Sequence, residues 1–113
     1  DFEELNFFNP KEKKRHVYHL LSAYFLPKKN ITRDDLIRLL YEKYNIKCVI
    51  QYYPLYKYDL FKKNGFGRAK CPNTDKFYNN MISFPFHVWM KEKEVQYLKL
   101  SIKKSLIELK KSK

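Results

Sequence analysis

Gln51-Tyr52-Tyr53-Pro54-Leu55-Tyr56 follows the apolar run Cys48-Val49-Ile50, and its reading decides the rest. A β-branched run that ends in a proline flanked by aromatics reads as a buried strand leaving its sheet, because Pro54 cannot donate to a ladder and holds Tyr53 extended. Three tyrosines then gather phenol hydroxyls at a strand end, the part of an α/β unit where ligands are commonly met.

Upstream of this turn, Thr32 is a good N-cap, and Asp34 and Asp35 occupy the first turn, where the helix dipole favours negative charge. Leu36, Leu40 and Tyr44, with Ile37, recur at helical spacing, so Thr32 to Tyr44 is expected to be a helix with Asn45 as a left-handed C-cap. A strand is expected on each side of it. His16 to Leu26 is apolar on both faces, as in a central strand, and Lys47 to Tyr52 follows the helix. Pro27-Lys28-Lys29-Asn30 breaks the first strand. Before it, Phe2, Leu5, Phe7 and Phe8 stud a segment with no evident partner strand, which ends in the charged turn Pro10 to Arg15. Such an opening reads as cut from a longer protein.

Downstream, Lys57 to Arg68 reads as a short helix or loop. Its Gly65-Phe66-Gly67 lacks the third glycine and the preceding strand of a dinucleotide site and serves as a turn. A helix is expected from Thr74 to Met81, with Phe77 and Met81 on one face. Ile82-Ser83-Phe84-Pro85-Phe86 is a short strand that its proline confines to an edge or an end. Glu92 to Lys110 closes the chain as a helix, with Val95, Leu98, Ile102, Leu106 and Leu109 inward and Lys99, Lys103 and Lys110 solvated. The fold class is therefore α/β in the α+β sense: one domain over residues 1–113, with a few-stranded sheet covered by helices, the relative direction of its strands being left open by these patterns.

The formal net charge of +12 invites a polyanion partner, yet the 24 Lys and Arg are spread over nearly every segment. That distribution fits a bias of the whole chain better than a built phosphate-binding patch. Cys48 and Cys71 form no C-x-x-C pair and read as reduced thiols of a cytoplasmic protein. No apolar run approaches the roughly 18 residues a membrane span needs. His16 and His19, three apart on an extended strand, would face opposite ways and hold no common metal ion, and His19 would be a half-buried strand residue. His87 and Trp89 read as a packed corner before the last helix. No Ser, Cys, His or carboxylate set has the spacing of catalytic machinery, so no catalytic residue is assigned.

The ordered motifs resemble the C-terminal part of the DegT/DnrJ/StrS family of sugar aminotransferases, pyridoxal-phosphate enzymes of fold type I. The likeness is carried by His16-Val17-Tyr18-His19-Leu20, by Arg33-Asp34-Asp35-Leu36 with Leu40, and by Asn45-Ile46 with Gln51 to Tyr56, which is similar to the family's "GI…HYxPLH" turn. Cys71-Pro72-Asn73-Thr74-Asp75 resembles its "P-x-A/T-E/D" helix start. Ile82 to Phe86, then Met90 and Glu94-Val95, resemble "LSLPL…MT…EEV". Asn45 stands where the family has glycine, which αL geometry tolerates. Gln51 stands where histidine is frequent, which removes a titratable group, and Tyr56 closes a motif that often ends in histidine.

The resemblance implies a C-terminal small domain with a few-stranded, mainly antiparallel sheet that closes part of a substrate cleft, with Gln51, Tyr52 and Tyr56 as substrate-binding residues. It further implies an intact enzyme that moves an amino group from glutamate to a nucleotide-linked keto sugar in surface-polysaccharide or glycan biosynthesis, usually as a homodimer. The pyridoxal phosphate and its lysine would belong to a large domain absent from these residues, and none of the cofactor would be bound by this piece. The alternative from another class is a stand-alone basic binding module for nucleic acid or an acidic partner.

Overall fold

The sheet is built around β2, Leu21–Phe25, which pairs antiparallel on one side with β1, Leu5–Phe7, and on the other with β3, Met81–Phe84. The structure, a computed structural model, describes residues 2–10, 13–28 and 30–112. Registers are Leu5 opposite Phe25 in one ladder and Leu21 opposite Phe84 in the other. Alternation along these strands sends Leu5, Ala23, Phe25, Ile82 and Phe84 to one face, where they join Leu36, Leu40, Leu98, Ile102, Leu106 and Leu109 in the core. The helices that supply this face are α1, Arg33–Tyr44, and α4, Glu92–Lys111. Both are amphipathic, and burying one stripe of each against the sheet is the main source of their stability. Ser101 and Ser105, small and fully buried on α4, let its backbone approach closely.

The opposite face carries Ser22, Tyr24, Met81 and Ser83. Ser22 and Ser83 share a cross-strand hydrogen bond of 2.8 Å, and the Tyr24 ring lies 6.3 Å from that of Phe77. Phe77 belongs to α3, Pro72–Asn80, whose proline sits at the start, where its missing N–H costs nothing. Arg33, nearly buried, joins the layers: its Nη1 donates to the carbonyls of Tyr78 and Met81 at 2.9 and 3.0 Å. It thereby satisfies acceptors that the end of α3 would leave orphaned.

The α+β class and the antiparallel, few-stranded sheet expected from the sequence are what the structure has. The cap residues of α1 are also as read: Thr32 and Asp35 form a reciprocal capping box, and Asn45 adopts φ 53°, ψ 34°. Several element boundaries need correction. The segment from Phe2 to Phe8 does have a partner, since Leu5–Phe7 is the outer strand β1. Only Leu21–Phe25 of the His16 to Leu26 stretch is strand. Ahead of it, Tyr18 takes a positive φ of 48°, its N–H donates to His16 Nδ1 at 2.8 Å, and the His16 ring stacks between Phe8 and Tyr18. That local knot leaves no extended edge to pair, and His19 is exposed rather than half-buried.

The Lys47 to Tyr52 strand reduces to one bridge, Val49 to Ser83, because Cys48 turns into the core and the Gln51 N–H goes to Met81 Sδ at 3.3 Å instead of to a ladder. The helix expected from Thr74 starts two residues earlier and ends at Asn80, so Met81 opens β3, and Phe77 remains half exposed. Lys57 to Arg68 holds a short helix, α2, Asp59–Lys63, between single 3-10 turns at Leu55–Lys57 and Phe66–Arg68. The corner at His87 and Trp89 is not packed: Val88 and Trp89 are 85% and 81% exposed. The expected turn at Lys11 and Glu12 and the break at Lys29 lie outside the described residues.

Candidate functional site

Residues 49–58 run from the bridge on β3 across the face that carries α3. Two fastenings hold them there. Tyr53 meets Tyr58 and Tyr78 edge to face, with ring centroids 5.0 and 5.5 Å away. Such T-shaped pairs match positive ring edges to negative faces and hold geometry as well as area. The second fastening is polar. Tyr56 donates its hydroxyl to Asp75 Oδ1, and Lys57 Nζ stands 2.5 Å from the same oxygen and 5.7 Å from the Tyr56 ring centroid.

The electrostatics follow from that contact. The Asp75 carboxyl is held below its ordinary value by the Lys57 ammonium and then by the Tyr56 hydroxyl. Tyr56 is pushed above the usual phenol range by its hydrogen bond to Asp75, and Lys57 is pushed up by the same carboxylate. Asp75 also lies in the first turn of α3, where the helix dipole favours an anion.

The three residues singled out in the sequence lie together on this turn but in different environments. Tyr52 stands out from the surface at 65% exposure, its phenol open to a ligand. Gln51 is half-buried, and its Oε1 is buried with no hydrogen-bond donor among the described residues. The peptide bond between the two is cis. Tyr56 has committed its single O–H to Asp75, so toward a ligand it offers lone pairs and a ring face. Leu55, 64% exposed, continues the surface.

Asp75, Lys57 and Tyr78 were not singled out by sequence reasoning, which treated Asp75 only as part of a helix start. The available signal was an acid three residues after Pro72, the place where a first-turn carboxylate belongs. The arrangement can position a polar ligand, but it contains no activated nucleophile. Among the described residues, no three or more His, Cys, Asp or Glu are grouped to hold a metal ion. Cys48, pushed up to about 12 by burial, is an inert thiol.

The chain's sequence matches the model of the DegT/DnrJ/EryC1/StrS aminotransferase family over residues 1–103. It belongs to that family. It is 27% identical over 110 residues to a UDP-4-amino-4,6-dideoxy-N-acetyl-beta-L-altrosamine transaminase of Campylobacter jejuni, covering 97% of this chain and 28% of that protein. Over 83 residues it is 29% identical to the spore coat polysaccharide biosynthesis protein SpsC of Bacillus subtilis, covering 72% of this chain and 21% of that one. Among solved structures it is similar to Helicobacter pylori PseC, an aminotransferase involved in the biosynthesis of pseudoaminic acid. The TM-score is 0.79 at 25% identity, over 93% of this chain and 28% of that one. The chain thus spans between a fifth and a third of the length of these relatives.

Pyridoxal phosphate, which the family implies, does not fit the residues described here. Its carrier lysine must be desolvated to be nucleophilic, whereas no described lysine is buried and Lys28, Lys43 and Lys57 are all pushed up by carboxylate partners. Among the described residues, no helix is long and apolar enough to cross a membrane.

Proposed function

We propose that these residues form the C-terminal small lobe of a nucleotide-sugar aminotransferase of surface-glycan biosynthesis, and that the 49–58 turn closes one side of its substrate cleft. The observation that carries this reading is the turn itself: fastened to α3 at two points, it projects Tyr52 into solvent and offers the acceptor side of Tyr56 beside it. Preorganised groups of this kind bind without paying again for ordering. Gln51 serves as the polar contact once its amide turns outward, and its unpartnered Oε1 supports that role. In the complete enzyme pyridoxal phosphate supplies the amino-transfer chemistry from a large lobe, glutamate is the amino donor, and a UDP-linked keto sugar is the acceptor. Two such chains form a homodimer, working in the cytoplasm.

The test is an assay of the full-length protein with a UDP-linked 4-keto sugar and glutamate, following 2-oxoglutarate and the amino sugar. Turnover that needs both substrates is expected. An inactive protein that instead retains RNA or DNA, with an affinity falling steeply as salt rises, overturns the reading in favour of a basic binding module.

A further inference from the structure

We propose that Asp75 is a positioning residue for the substrate turn, acting through Tyr56 and Lys57 to hold Gln51 and Tyr52 in their binding geometry. This deepens the aminotransferase reading and rests on it. One carboxylate oxygen, Oδ1, receives both the Tyr56 hydroxyl and the Lys57 ammonium. These are adjacent residues on the turn, so a single atom of α3 fixes two successive side chains, and with them the backbone that enters the 3-10 turn at Leu55–Lys57. Tyr78, three residues further along α3, secures Tyr53 on the same helix. Asp75 therefore supplies the polar half of a two-point mount.

The mount is specific to charge and reach. Lys57 and Asp75 are only about a third exposed, so their pairing is less screened than a surface ion pair. Without the carboxylate, Tyr56 loses its acceptor, the Lys57 ammonium is left unpaired, and the turn is held by ring contacts alone. A turn held less firmly presents its binding groups less well, and the loss is read in KM. The turn is assigned a binding role and no catalytic one, so the effect of Asp75 falls on how substrate is held and not on the amino transfer.

The experiment uses Asp75→Ala, Asp75→Asn and Lys57→Met in the full-length protein, with ring-labelled tyrosine. The Tyr56 resonance is identified as the one missing in Tyr56→Phe. The groups facing Tyr56 are Asp75, Lys57 and Cys71. In the parent the Tyr56 signal is expected to titrate above ordinary tyrosine, and in Asp75→Ala to move back down. KM for the nucleotide sugar is expected to rise about tenfold in Asp75→Ala and less in Asp75→Asn, which keeps an acceptor, with kcat within about twofold. An unchanged Tyr56 titration in Asp75→Ala shows that the contact does not exist and overturns the proposal. A shifted titration with unchanged KM in an active enzyme also overturns it, while leaving the aminotransferase reading intact. Should Asp75→Ala not fold, Asp75→Asn and Lys57→Met carry the same comparison, and unchanged KM in both overturns it. A parent protein without transaminase activity sinks the functional reading and the positioning role together, and the titration then decides the contact separately.

Discussion

Glu4 is 3% exposed, a carboxylate near the N-terminal end tucked beneath two lysines: Lys110 Nζ at 2.5 Å and Lys28 Nζ at 3.2 Å from the same oxygen. Burial by itself would raise its pKa, but the hydrogen bonds from Lys110 and Lys28 outweigh it and hold the carboxyl below 4.5. The sign follows. A carboxyl depressed in the folded state contributes stability that is fully present above its unfolded pKa and is lost as pH falls through the lower folded value. Chemical denaturation between pH 6 and pH 3 should therefore show stability falling below pH 4.5, with a shallower fall in Glu4→Gln. At neutral pH that variant should be less stable by about 1 kcal/mol, because the buried side chain loses its charge-assisted hydrogen bonds while the exposed Lys28 and Lys110 rehydrate. At the turn, Tyr52→Ala should raise KM for the nucleotide sugar by roughly tenfold, whereas Tyr52→Phe separates the ring from its hydroxyl. Equal KM in parent and Tyr52→Ala would remove Tyr52 from the site.

At the scale of elements, α1 shows what local chemistry can specify. Thr32 accepts from the Asp35 N–H while Asp35 accepts from the Thr32 N–H, which satisfies two donors that the helix would otherwise leave open. Thr32→Ala should cost about 1 kcal/mol in urea denaturation, and Asn45→Gly, at a position already left-handed, should cost little or nothing. Caps and apolar period lie within one stretch of chain, which is why α1 and α4 were legible in the sequence almost to the residue. Strands were legible only as apolar runs. Whether such a run pairs depends on residues far away: Leu5–Phe7 found β2, while His16 to Leu20 were tied up by their own ring contacts. The candidate turn was legible from Pro54 and its tyrosines, but Asp75 was not, because its meaning comes from Tyr56 and Lys57 across a loop.

Across the whole molecule, polar and apolar surfaces are unevenly placed. Phe86, Val88 and Trp89 stand exposed on the connection from β3 to α4, and Leu55, Leu60 and Phe66 on the segment that runs through α2. Exposed apolar groups of this kind are where the proposed large lobe or a second chain would pack. Trp89, the single tryptophan of the chain, reports on this directly. In these residues alone its fluorescence should have a water-like emission maximum and be readily quenched by iodide. Under the proposed assignment to a longer enzyme, the emission from this position in the full-length protein should shift to the blue with weaker quenching. The same red emission in both would mean that this flank stays open.

The contact between Glu4 and Lys110 also bears on how the protein is made. A ribosome works from the N-terminal side onward, so Glu4 leaves the exit tunnel before Lys110 and must wait for it. Until then the outermost strand lacks its final fastening. While these residues are being made, this part of the nascent chain should remain open to chaperones and to proteases, and it should become resistant only when that late lysine arrives.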